Sequence, residues 1–96
     1  MDLGIVIKNI RKQKGQTQSE FASLCGITQT YLSQIESNAK EPTISTLKII
    51  CGKLDIPLPI LFFQSLTSED VNPSKRNAFE LVSPSIKSLV NEFFAV

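Results

Sequence analysis

The sequence contains no histidine, no tryptophan, one tyrosine and only two cysteines among 96 residues. Without histidine the Ser–His–Asp and Cys–His nucleophilic arrangements are excluded, and so are most zinc sites. Cys25 and Cys51 are too few to staple a small secreted scaffold; they read as reduced core residues. A surplus of either charge is also missing, since ten basic residues against nine acidic give a net charge of +1. By charge alone, nucleic-acid binding is a weak inference. The longest apolar stretch, from Ile56 to Phe63, holds two prolines and is far shorter than the roughly 20 residues a spanning helix needs. The start lacks a basic segment and Lys8 interrupts its apolar run, so no cleavable signal is expected. Paired catalytic carboxylates and a glycine-rich phosphate loop are absent as well. These gaps predict a soluble cytoplasmic protein that is not an enzyme, with no cofactor, no bound metal and no membrane association.

What is present is helical patterning. Leu3, Val6, Ile7 and Ile10 share one helical face, Asp2 can cap the start and Gly15 suits the stop. Thr17-Gln18-Ser19-Glu20 is a capping box ahead of Phe21, Leu24 and Cys25. Thr28 is a second N-cap, with Ile27 and Leu32 forming a hydrophobic staple. Thr43 caps a fourth helix carrying Ile44, Leu47, Ile50, Cys51 and Leu54. A short fifth helix, started by a proline, is expected up to Phe63. No segment sustains a period of two, so the fold class is all-α. Beyond residue 63 the texture changes. A polar, turn-rich stretch precedes Asn72-Pro73, which is expected to cap a sixth helix ending near Val82. Ser83-Pro84 is expected to start another, with Ile86, Leu89, Val90 and Phe93 on one stripe and Phe94 beside it.

The functional signal lies between the second and third helices. Ala22, Gly26, Ile27, Leu32 and Ile35 have the spacing of a helix-turn-helix. Small Ala22 lets two steeply crossing helices approach, and Gly26 permits the sharp turn. Gln29, Thr30, Ser33 and Gln34 are left outward, polar and uncharged. A helix so placed can enter a major groove with its N-terminal half.

Over residues 3–63 the chain resembles the phage-repressor/Cro-like helix-turn-helix regulators, the XRE family. The resemblance rests on Ile10-Arg11, Thr17-Gln18, Phe21-Ala22, Gly26-Ile27-Thr28, Tyr31-Leu32-Ser33, Ile35-Glu36 and Pro42-Thr43, among other matches in register. It implies a five-helix DNA-binding domain over residues 1–63; residues 64–96, outside the resemblance, read as a short helical extension for dimerisation or partner binding. It implies a homodimeric regulator of transcription on a two-fold operator in double-stranded DNA. Thr28 to about Ser37 becomes the recognition helix. Its base readers are Gln29, Thr30 and Gln34, with Ser33 at the margin. Gln18, Tyr31, Asn38, Lys40 and Thr43 contact phosphates, and Arg11 pairs with Glu36. The recognition helix has no Lys or Arg, and Gln pairs bidentately with adenine, so A·T pairs are expected under it. Asn38 replaces the family's usual glycine, and Cys51 a common alanine. The apolar residues Ile86, Leu89, Val90, Phe93 and Phe94 are the dimerisation candidates. An alternative is an antitoxin-like autoregulator whose C-terminal helix binds a different protein.

Overall fold

The computed structural model describes residues 1–94, all helix and loop with no strand among them. The six α-helices are α1 (Leu3–Gln13), α2 (Gln18–Cys25), α3 (Gln29–Glu36), α4 (Ile44–Leu54), α5 (Leu58–Gln64) and α6 (Arg76–Phe93). Their starts are set by local chemistry. Asp2, Thr17, Thr28 and Thr43 each accept a first-turn backbone N–H through the side chain, satisfying a donor that the helix cannot. At Thr17 the box is reciprocal, with Glu20 N donating to Thr17 Oγ1 at 3.1 Å and Thr17 N to Glu20 Oε1 at 3.2 Å. Hydrogen bonding by Thr17 lowers the Glu20 carboxyl below its ordinary pKa.

The first five helices surround one core. α1 packs on α3 and α5, α2 on α3 and α4, and α4 on α5. Ile7, Phe21, Leu32, Ile35, Ile50, Leu54 and Leu61 are almost fully buried at the centre. Each such side chain contributes roughly 1.5–3 kcal/mol of transfer free energy. Both cysteines are buried and free, and burial pushes the Cys51 thiol up to about 11.

The tail departs from its expected form. Asn72 caps not a long helix but a 3-10 turn, Pro73–Lys75, its Oδ1 accepting from Ser74 N at 3.0 Å. One helix then runs from Arg76 to Phe93 with Pro84 inside it, where two helices broken near Val82 were expected. Proline removes the N–H that would bond the Glu80 carbonyl, a cost of about 3 kcal/mol in a helix interior. Here Glu80 and Pro84 are both exposed, so water can donate to the Glu80 carbonyl in place of the missing N–H. Two long cationic side chains of α6 hold it to the body. Lys87 Nζ donates to the Leu66 carbonyl at 2.6 Å and to that of Gln64 at 3.3 Å. These carbonyls lie at the end of α5 and just beyond it, where a cation is favoured. Arg76 Nε donates to the Ser68 and Val71 carbonyls at 2.9 and 3.2 Å. Residues 95 and 96, the end of the expected tail, lie outside the described residues.

Candidate nucleic-acid interface

The α2–α3 joint owes its angle to Gly26. Its φ of 68° and ψ of 28° are left-handed, a conformation nearly free only to glycine. Ile27 N then donates back to the Ala22 carbonyl at 3.0 Å. Thr28 restarts the helix, accepting from Tyr31 N at 3.0 Å. Leu32 and Ile35 anchor α3 in the core while Gln29, Thr30 and Ser33 are exposed and Gln34 is half-buried. With Gln18 these four line a shallow, open concavity of about 280 Å³. All four expected base readers therefore share one surface, joined by the first residue of α2.

Behind that surface lies a buried charge pair. Arg11 Nε donates to Glu36 Oε2 at 2.8 Å and Nη2 to Oε1 at 2.9 Å. Arg11 and Glu36 are only 5% and 4% exposed, so this is a desolvated fork-to-carboxylate pair. Hydrogen bonding to Glu36 raises the Arg11 pKa against the opposing effect of burial. Arg11 Nη1 donates to the Gln16 carbonyl at 2.8 Å, and Gln18 Nε2 donates to Glu36 Oε1 at 3.2 Å. One carboxylate thus ties the end of α1, the start of α2 and the end of α3 together. It also turns the Gln18 amide. One of its N–H groups is spent on Glu36, which leaves the carbonyl oxygen and the second N–H uncommitted to that carboxylate.

The residues expected to grip phosphate fall into two groups. Lys40 is exposed and carries a full positive charge. Tyr31 is half-buried against the core. Thr43, by contrast, is occupied as the α4 cap, accepting from Thr46 N at 3.2 Å and meeting Thr46 Oγ1 at 3.1 Å. Asn38 is more committed still. Its backbone is left-handed at φ 60°, its Oδ1 accepts from Gly4 N at 3.0 Å, and its Nδ2 donates to Asp2 Oδ1 at 2.7 Å. The structure uses Asn38 to staple the start of α1 to the loop after α3. Sequence reasoning missed this staple. Gly4, a glycine inside a helix, is the signal for it, since an added Cβ would collide with the Ile35 and Glu36 carbonyls and Asn38 Oδ1. Of the dimerisation candidates, Ile86, Leu89 and Phe93 are exposed, whereas Val90 and Phe94 are half-buried.

The helix-turn-helix family model matches residues 7–61. The chain belongs to the helix-turn-helix family. Among relatives in that family, a 10 kDa protein of the immF control region of Bacillus phage phi105 is 39% identical over 59 residues, covering 62% of this chain and 66% of the relative. A crystal structure of SinR, a master regulator of biofilm formation, in complex with DNA is 38% identical with a TM-score of 0.60, covering 62% of this chain and 97% of that one. A SinR/SinI complex is 33% identical with a TM-score of 0.60, covering 95% of this chain and 89% of that one. The chain spans about half the length of the curated relatives it matches, between 43% and 66% for those most similar.

Proposed function

We propose that this protein regulates transcription by binding double-stranded DNA in a sequence-specific way, as a homodimer on a two-fold operator. The observation that carries the reading is the surface shared by Gln18, Gln29, Thr30, Ser33 and Gln34, backed by the Arg11–Glu36 pair. In a major groove, Gln29 and Gln34 pair with adenine edges, and the Thr30 methyl packs on thymine. Ser33 lies at the margin of these contacts. Lys40 provides a charged phosphate contact, while Gln18, Tyr31, Asn38 and Thr43 add neutral ones. The free N–H groups in the first turn of α2 also attract phosphate. The region from residue 64 onward dimerises through its apolar helix, and residues 1–63 bind DNA. The SinR–DNA complex, similar over 62% of this chain, supports this reading.

Selection of bound DNA from a random pool tests it. The expected result is a palindrome with A·T-rich half-sites about one helical turn apart, centre to centre. Gln29→Ala and Gln34→Ala should each cost roughly 1–3 kcal/mol and relax the preference at one position. An unchanged selected sequence would remove them as readers. A second reading is supported by the SinR/SinI complex, which matches nearly the full chain. In it, α6 binds a different protein and DNA binding serves autoregulation. Co-purification of a small partner released by Leu89→Asp would favour it.

A further inference from the structure

α6 carries a wider apolar arc than its own body covers. Phe79 and Val90 are half-buried. Beside them, Val82, Ile86, Leu89 and Phe93 remain 50%, 43%, 57% and 75% exposed. Ala78, one turn before Val82, continues the strip and is exposed too. The steps of four, four, three and four residues form one continuous ridge, and no charged side chain interrupts it. The ridge borders an apolar groove of about 240 Å³ walled by Phe63, Leu66, Phe79, Val82 and Ile86.

We propose that the strip is occupied by α6 of a second copy, running antiparallel about a two-fold axis beside Ser85 and Ile86. The proposal rests on the reading that the tail dimerises, and it specifies how. Two observations support an antiparallel second copy, and a third sets its scale. The first is size. Reversed about the midpoint between residues 85 and 86, both ends of the strip map onto each other, while Ile86 meets Ser85 beside the strip. Ala78 falls opposite Phe93, Val82 opposite Leu89, and Ser85 opposite Ile86. The smallest residue faces the largest, which fills an interface at interior density. A parallel pair would set Phe93 on Phe93 and leave a void at Ala78. The second is charge. Glu92 flanks the strip near its end, and Lys75 immediately precedes the helix. Antiparallel pairing brings Glu92 within about one turn of Lys75 on the second copy. Parallel pairing would place Glu92 beside Glu92. The third is area. The exposed apolar side chains offer on the order of 400 Å² per copy, about half of what each side of a standard interface buries. The groove walls and polar rim add to it. Leu89 of the second copy lies over Val82 and closes the mouth of the groove.

Cysteine pairing in the full-length chain tests the register, because Cys25 and Cys51 are buried. Ala78→Cys and Phe93→Cys chains, mixed in equal amounts and mildly oxidised, should form a disulfide-linked heterodimer. Neither variant alone should cross-link, because like positions would stand about 22 Å apart along the helices, against the roughly 7 Å that a disulfide spans. Self-linking of Ala78→Cys, or no link in the mixture, overturns the antiparallel register. Sedimentation of Leu89→Asp, with its helicity checked, tests the underlying reading. Its dimer dissociation constant should rise by about 100-fold, because an unpaired carboxylate is buried on each side. Unchanged dimerisation, or a wild-type chain that is monomeric throughout, overturns the tail's role as well as the register. Loss of the dimer in Leu89→Asp with self-linking of Ala78→Cys overturns the register alone.

Discussion

Glu36 joins three helix ends behind the proposed interface. It carries the charge that neutralises buried Arg11 and also orients the Gln18 amide. Glu36→Gln leaves the guanidinium buried without a counter-charge, and breaking such a pair costs about 3–5 kcal/mol. A thermal melt should therefore fall steeply. The double variant Arg11→Met with Glu36→Leu removes both charges and should recover most of that stability. It should not recover DNA preference, because Gln18 has lost its anchor; full recovery of preference would disprove the orienting role. Gly4→Ala should destabilise by about 1–3 kcal/mol, since the methyl group has carbonyl oxygens in its place. Denaturant unfolding measures it, and a neutral result would mean that α1 can shift. Cys51 gives a pH dependence of definite sign. Burial raises its thiol from 9.0 to about 11, so in the unfolded chain it ionises first. Stability is full below pH 9.0 and falls between there and about 11. Cys51→Ala should flatten that part of the profile, read by chemical denaturation at each pH.

Elements obey local chemistry where local chemistry is all that acts, and this decides what was legible in the sequence. The helix starts at Thr17, Thr28 and Thr43 were readable because donor and acceptor are three residues apart. The turn at Gly26 was readable because only its backbone conformation matters. Thr28→Ala should cost about 0.5–2 kcal/mol and fray the turn of α3 that carries Gln29 and Thr30; hydrogen exchange at Tyr31, whose N–H the hydroxyl accepts, would report it. The Asn38 staple was not legible, because its partners Asp2 and Gly4 are 36 and 34 residues away. The hydrogen bonds already made by Thr43 and Gln18 were not legible either, because a sequence does not show that a hydroxyl or an amide has a partner. Pro84 misled for a related reason. Read locally it starts a helix, whereas Arg76 and Lys87, on either side of it, hold one helix to the body. Pro84→Ala restores the missing N–H and should strengthen α6, raising helicity by circular dichroism. A loss of helicity would mean that the proline shapes the helix.

At the scale of the whole molecule, a net charge of +1 limits how DNA can be held. Release of counterions scales with the number of phosphates neutralised by cations. Around α3 the exposed cation is Lys40, and the other expected contacts are neutral. A single subunit therefore has little non-specific attraction to draw on, and in the proposed homodimer two linked half-sites would provide the affinity. Linking makes the second contact intramolecular, at an effective concentration that can add two to four orders of magnitude. The consequences differ for two variants that leave the core intact. Lys40→Ala keeps the dimer but removes one phosphate contact per subunit, so the slope of log K against log salt should fall by about two for the full operator. Leu89→Asp keeps every DNA contact but uncouples the subunits. Its affinity for a single half-site should equal the wild type's, while its affinity for the full operator should collapse towards that value. Titrations on half and full operators at several salt concentrations separate the two. If Leu89→Asp bound the full operator as tightly as wild type, α6 would not be what joins the subunits on DNA. The exposed ridge of α6 would then have to be explained by a different protein.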